Sequence, residues 1–334
     1  MDQILFIRLR LLGDIVFTIP SIQIFKERFP QTRIFYLVEE AYLEIAGLIP
    51  GIHEVITVPR DMGIKKMWQF YKEIRKMNFE TVVDFHSGPK SAQLTWLTRA
   101  KTRIGYRTPN RNWAYTHLTP RRFGDLPTHS VFNQAKLLEH LGIQINEENL
   151  PEYPVIEPDE TKIRDFVHSA LQNEEKKAVI HVGAGNAFRD WGIENFSDLI
   201  DRLKKEKWNV YIIGNSKEET EKGQLLEARH GNFNFTGRLS ISETLHLVSR
   251  SNIYIGADSG PLHVASLTAT PIVALYGPNI PEISGPWRKT GVSIIRHRMD
   301  CQPCSQRKCI YGIIPCMKNI STDEIYETII RHYR

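Results

Sequence analysis

Short apolar runs recur along the chain, each ending in a break and followed by residues at helical spacing. Residues 4–7 form the first run, without a polar interruption, as a strand buried on both faces of a parallel sheet requires. Gly13-Asp14 breaks it, and a helical segment then continues to Phe29 with Pro20 in an early turn. Residues 34–38 and 55–58 read as strands, 65–77 as an amphipathic helix, 81–85 as a strand and 91–99 as a helix. A short strand over 103–106 and a helix over 131–141, closed by Gly142, complete the first series.

Pro151, Pro154 and Pro158 punctuate a non-periodic stretch, after which a helix over 159–171 opens a second series. Strands are predicted at 179–182, 210–213, 233–235, 253–255 and 272–275, with helices at 195–205, 218–229, 242–249 and 322–332. Strands alternating with helices mean βαβ units and a parallel sheet. Two such series predict two α/β domains, residues 1–158 and 159–334, with the closing helix packing back on the first. Ligands of open parallel sheets bind beyond the carboxyl ends of the strands, so a ligand cleft between the two halves is expected.

Composition supports this picture. A chain of 334 residues suits two domains, and 41% hydrophobic with 24% charged residues is ordinary for a soluble globular protein. The net charge of +5 favours an anionic surface or substrate without implying nucleic acid. No apolar run reaches the roughly 18–20 residues of a membrane span. Arg8, Arg10 and Asp14 interrupt the apolar N-terminus, which argues against a signal-peptide core and for a cytoplasmic chain.

The stretch Gly256-Ala-Asp-Ser-Gly-Pro-Leu-His-Val-Ala265 carries the strongest candidate chemistry. A strand runs into Asp258-Ser259-Gly260, where Ser259 suits a helix N-cap and Pro261 the first turn. Backbone N–H groups and a helix N-terminus then converge where an anion such as a diphosphate can sit; an ordinary strand-to-helix turn is the alternative. His263, in that first turn, could donate to a phosphate or simply be packed. Asp14, just after the first strand, could act as general base toward a hydroxyl or as a helix cap. Gly183 and Gly185 permit close backbone approach, and Arg189 offers a planar fork for phosphate oxygens. Glu218 could accept from a ribose or answer the helix dipole. No G-x-G-x-x-G follows the first strand, which argues against an NAD-dependent oxidoreductase.

Seven basic residues and no acidic one lie between Arg99 and Gly124, namely Arg99, Lys101, Arg103, Arg107, Arg111, Arg121 and Arg122. Tyr106, Trp113, Tyr115 and Phe123 are interleaved with them. Single-stranded nucleic acid, a phosphorylated glycolipid head group and a solvated loop all fit that pattern. Lys65 and Lys66 extend the patch or form an exposed helix face. The four cysteines, Cys301, Cys304, Cys309 and Cys316, fall in one C-x2-C-x4-C-x6-C cluster. In a cytosolic chain that spacing points to a closed structural zinc site more than to disulfides, with metal-free thiols the alternative.

Taken together, these motifs resemble the ADP-heptose:lipopolysaccharide heptosyltransferase family, glycosyltransferase family 9. ILFIRLRLLGDIVFTIPSIQIFKERFP looks like that family's opening, DFHSGPKSAQL with RIGYR its middle, and HVGAGNAFRDWGIENF its second-domain entry. GADSGPLHVASLTATPIVALYGPNIPEISGPW is similar to its nucleotide-sugar signature, and the cysteine cluster to the tail of many members. The resemblance implies a GT-B fold, two doubly wound Rossmann-like domains with parallel sheets facing a central cleft. It implies inverting, metal-independent transfer of heptose from ADP-heptose to a lipopolysaccharide inner-core acceptor of the Kdo/heptose–lipid A type. Asp14 would be the catalytic base, and Arg189, Glu218, Asp258, Ser259, Gly260 and His263 the donor-binding set, with Arg189 where the family has a lysine. Arg10, Lys65, Arg103, Arg107 and Arg121 would meet the acceptor; Arg10-Leu11 stands where some members have a serine pair. No cofactor is required by that reading, which leaves the cysteine zinc structural. It implies a peripheral enzyme at the inner face of the inner membrane, in transient contact with it and without a nucleic-acid partner. A transferase using another nucleotide sugar or acceptor is the nearer alternative, and a nucleic-acid-binding module the more distant one.

Overall fold

The apolar runs become strands because side chains on both faces of each have somewhere to be buried. In the first half these are β1 (Gln3–Ile7), β2 (Arg33–Glu39), β3 (Ile52–Val58), β4 (Thr81–Asp84), β5 (Thr102–Tyr106) and β6 (His117–Thr119). The second half contributes β7 (Lys177–His181), β8 (Asn209–Ile213), β9 (Phe233–Asn234), β10 (Ile253–Ala257), β11 (Ile272–Tyr276) and β12 (Val292–Arg296). The structure is a computed structural model that describes residues 1–58, 63–121 and 127–332. It divides into two compact units, Met1–Glu152 and Tyr153–Arg334.

Among the described residues each unit contains one six-stranded sheet, ordered β3-β2-β1-β4-β5-β6 in the first and β12-β11-β10-β7-β8-β9 in the second. All pairings are parallel. Counted from its own first strand, each sheet has the doubly wound order 3-2-1-4-5-6, the second read from the opposite edge. The α/β expectation is met. The two unanticipated strands, β6 and β12, are edge strands with partly exposed residues, so neither has a continuous apolar run.

β1 lies at the centre of its sheet, and Ile4, Leu5, Phe6 and Ile7 are fully buried. Phe6 meets Phe25 and Phe85 edge to face with ring centroids 5.2 Å apart, while Leu5 and Ile7 pack with Phe35, Val82 and Leu94. Burying each such side chain stabilises the fold by about 1.5–3 kcal/mol. In the second unit Trp191 is fully buried, donates from Nε1 to the Ile320 carbonyl at 2.8 Å, and meets Phe196 edge to face. The closing helix, Thr322–Arg331, differs from expectation: Ile325 and Ile329 place it in this second-unit cluster, against the helix Ile193–Lys205. Its start is secured by a Ser321–Glu324 capping box.

The long helix expected over 131–141 is an α-helix, Ser130–Ala135, tightened into a 3-10 segment, Lys136–Leu141, and stopped by left-handed Gly142 at φ 76°. Among the described residues no helix is long and apolar enough to cross a membrane.

Candidate active site

Strand order decides which loops share a site. In the first sheet the order reverses between β1 and β4, so the loops leaving their carboxyl ends part and leave a crevice. One loop carries Arg8 to Asp14 and the other Phe85 to Gly88. Asp14 is the third residue of the short helix Leu12–Val16. Its Oδ2 accepts from Arg8 Nη2 at 2.5 Å and from the Leu11 amide at 3.4 Å. Arg8 is buried and its Nη1 also donates to the Phe85 carbonyl at 2.6 Å, tying the base candidate to the β4 loop. Gln134 donates to the Asp14 carbonyl at 3.1 Å. Among the described residues Oδ1 of Asp14 has no partner, and the side chain is about one-third open.

The β4 loop is held by Asp84, fully buried at the strand end, which accepts from the amides of His86 (2.9 Å) and Ser87 (2.8 Å) and from the Tyr115 hydroxyl (2.7 Å). Burial pushes its carboxyl above the usual range, against the lowering effect of those hydrogen bonds. The same loop presents His86, which the sequence reading did not single out. Burial, then the positive charges of Arg8 and Arg10, pull its imidazole down to about 4, so it is neutral at physiological pH. Its signal lay in sheet order alone: only the β1–β4 pairing brings residue 86 beside residues 8 to 14.

The candidate acceptor residues divide. Arg121 donates to the His86 carbonyl at 3.1 Å and lies over the Tyr106 ring, which brings it to this crevice. Arg10 and Arg107 are exposed beside the carboxyl ends of β1 and β5. Lys65 is exposed in the first turn of the helix Ile64–Lys76. Arg103 is near the opposite, amino end of β5, and its fork donates to the Ala100 (2.6 Å) and Ala114 (2.8 Å) carbonyls. Those bonds tie it to local backbone, away from the crevice at the other end of the strand. Arg122, Phe123 and Gly124 lie outside the described residues.

In the second unit the order reverses between β7 and β10. Asp258, buried just after β10, is the hub there. Asn279 donates to its Oδ2 at 2.8 Å and Ser284 to Oδ1 at 3.4 Å, and His263 Nε2 lies 3.8 Å from Oδ1. Arg189 Nη1 donates to the Asp258 carbonyl at 2.5 Å and lies 3.5 Å from its carboxylate, leaving Nε without a partner among the described residues. Arg189, Asp258, Ser259, Gly260 and His263 are therefore brought together. Ser259 does not cap the helix Gly260–Ala265 as expected. Its extended backbone turns the hydroxyl back to the Ala257 carbonyl (3.0 Å) and His181 Nδ1 (3.2 Å). Pro261 is in the first turn, as read.

Two adjacent glutamates part company. Glu218 is exposed and pairs with Lys222 at 2.9 Å, which in turn holds Asp190 at 2.9 Å. Glu219 is buried and accepts from the Asn215 (2.6 Å) and Ser216 (2.8 Å) amides, with His181 Nε2 at 3.3 Å. Burial works to raise its pKa, but the His181 hydrogen bond and charge and the two amides prevail and hold it at about 2. Gly183 serves this glutamate: a Cβ there would stand 1.7 Å from Glu219 Oε1. Gly185, at φ 63°, has open space around it.

The cysteine segment also belongs to this unit. Cys316 is buried, and burial followed by the neighbouring Cys304, Cys301 and Cys309 raises its thiol to about 11. Cys309 Sγ faces the Ile313 carbonyl at 2.7 Å. Among the described residues no group of three or more His, Cys, Asp or Glu side chains forms a metal-binding arrangement, so the four thiols are neighbours without the expected tetrahedral set.

Known proteins agree with this architecture. Residues 67–314 match the family described as Glycosyltransferase family 9 (heptosyltransferase). The chain belongs to that family. Among family relatives, the Lipopolysaccharide core heptosyltransferase OpsX of Haemophilus influenzae is 23% identical over 84% of this chain and 80% of its own. The Lipopolysaccharide heptosyltransferase 1 of Pseudomonas aeruginosa is 24% identical over 92% and 88% respectively. The solved E. coli ADP-heptose lps heptosyltransferase II superposes with a TM-score of 0.83 at 19% identity, covering 99% of this chain and 98% of that one. At that identity the likeness concerns the fold, which is GT-B. This chain is accordingly a family 9 glycosyltransferase, with heptosyltransferase as its enzyme class.

Glu219 gives a pH signature. Its pKa is about 2 in the folded chain and about 4.3 when unfolded. Its stabilising contribution is therefore complete above the unfolded value and is lost as pH falls through the folded one. Thermal unfolding should show Glu219→Gln less stable than the parent at neutral pH, with the gap closing as pH drops below about 4. A gap that is constant with pH would refute the assignment.

Proposed function

We propose that the chain transfers heptose from ADP-heptose to a lipopolysaccharide inner-core acceptor, with inversion at the anomeric carbon. One observation carries this reading. In a family 9 chain, one switch point holds a carboxylate with a free oxygen, and the other holds an arginine and a histidine around a strand-to-helix turn. The names of the relatives, lipopolysaccharide heptosyltransferases, support the acceptor class. The name of the solved ADP-heptose enzyme supports the donor.

Asp14 Oδ1 takes the proton of the acceptor hydroxyl as that oxygen attacks the anomeric carbon from the face opposite ADP. The bond from that carbon to the diphosphate oxygen breaks, and ADP leaves with the electron pair. Arg8 fixes Oδ2 of the base, so the carboxylate does not have to be oriented at each turnover. Arg189, His263 and the amides at Ser259 and Gly260 meet the charge that develops on the leaving diphosphate. With protein donors in that role, no divalent metal enters the step. Glu218 remains the ribose candidate, at the start of the helix Lys217–His230. Arg10, Lys65, Arg107 and Arg121 supply cations for phosphates or Kdo carboxylates of the acceptor, whereas Arg103, held by backbone carbonyls at the far end of β5, does not. The protein works at the cytoplasmic face of the inner membrane, in transient contact with it.

Mixing the purified protein with ADP-heptose and defined core acceptors should add one heptose to an acceptor mass; release of nucleotide only from another donor would redirect the reading. Asp14→Asn should lower turnover by roughly 10²–10⁴-fold while ADP binding survives, and near-normal turnover would remove Asp14 as base. Arg189→Ala should weaken ADP binding about tenfold or more by calorimetry, and unchanged affinity would exclude its role. For Cys301, Cys304, Cys309 and Cys316, zinc near one equivalent in protein purified without added metal supports a structural site. A content below about a tenth of an equivalent removes it.

A further inference from the structure

Unit 1 holds an aromatic feature that its crevice does not use. Trp96, on the helix Pro89–Leu97, and Trp113, in the turn Asn112–Ala114, meet edge to face, with ring centroids 5.9 Å apart and planes at 77°. They are 51% and 53% exposed, so two of the largest apolar side chains are held together in solvent rather than in a core. Exposed apolar groups scattered singly are ordinary, whereas adjoining ones mark a contact surface. Trp113 donates from Nε1 to the Asn110 carbonyl at 3.0 Å, so its polar edge is satisfied within the protein.

The chain around the pair is cationic. Exposed Arg99 and Lys101 follow Trp96, half-buried Arg111 precedes Trp113, and no Asp or Glu occurs from residue 85 to residue 121. Such a surface complements an anionic partner. Single-stranded nucleic acid binds flat ring faces on which successive bases stack. A perpendicular pair, with one ring's edge against the other's face, is not such a platform. The head-group zone of a bilayer makes no stacking demand; it takes tryptophan at the apolar boundary and lysine or arginine at the lipid phosphates.

We infer that the Trp96–Trp113 face, with Arg99, Lys101 and Arg111, is a docking surface for an anionic lipid bilayer. It rests on the proposed lipid-linked acceptor for its purpose, but its test needs no turnover. Full-length protein is floated with vesicles of phosphatidylethanolamine and phosphatidylglycerol, without donor or acceptor. The parent should co-float, less so as salt is raised, and lipids brominated near the head group should quench its tryptophan fluorescence. Trp96→Ser/Trp113→Ser should lose roughly tenfold in partitioning and most of the quenching, with its unfolding midpoint unchanged. Transfer to a short lipid-free acceptor should be the same in both proteins. Failure of the parent to bind, or equal binding by the variant, would overturn the docking surface, as would a preference for a single-stranded oligonucleotide over vesicles. If the variant does not fold, quenching of the parent decides: its absence overturns the inference. Loss of heptose transfer in the parent with vesicle binding intact would instead count against the proposed reaction alone.

Discussion

In a parallel sheet whose strand order reverses, the loops leaving two adjacent strands must go to opposite faces, and nothing fills the gap between them but side chains. That constraint operates twice in this protein. β1 and β4 set one crevice, β7 and β10 the other. The chemistry on each follows from which residues the sequence places immediately after those four strands. A buried aspartate stands at or just past the end of β4 and of β10, with opposite uses. Asp84 is consumed by its own loop, holding the amides that shape it. Asp258 reaches outward to Arg189, Asn279, Ser284 and His263 and so joins separate loops into one surface.

Polar groups in both crevices are anchored to protein before any ligand arrives. Arg8 links Asp14 to the Phe85 carbonyl, and His181 lies between Glu219 and Ser259. Prearranged charges lower the reorganisation a reaction needs, which is where enzymes gain most of their electrostatic advantage. In the glutamate pair, Glu219 is held inside by two amides and a histidine, while Glu218 stays open to solvent beside Lys222.

Much of the fold was legible because a strand buried on both faces must be apolar throughout. Ile4 to Ile7 and Ile253 to Ile255 announce themselves in that way, and β6 and β12, at the sheet edges, do not. The proline-marked stretch near residue 151 showed a change of series, while the partner of the closing helix could not be read, since an amphipathic helix shows only that one face is buried. Of the candidate site, residues in the loops and first helical turns that follow strands could be picked out in the sequence: Asp14, Arg189, Asp258, His263. His86 and Glu219 were not, because their significance depends on strand order and on which of two neighbouring carboxylates turns inward. Gly183 was visible for the wrong reason, since the room it leaves belongs to Glu219.

The Arg8 bridge has a consequence for how such an enzyme diversifies. The position of Asp14 is set by a buried cation that is itself fastened to the sheet, so it is indifferent to the exposed charges around it. Arg10, Lys65 and Arg107, in contrast, are exposed and, among the described residues, carry no comparable tether. Substitutions among these outer cations can therefore change the charge around the crevice without disturbing the Asp14 carboxylate. A lineage of such proteins is free to vary its outer charges while that carboxylate keeps its place.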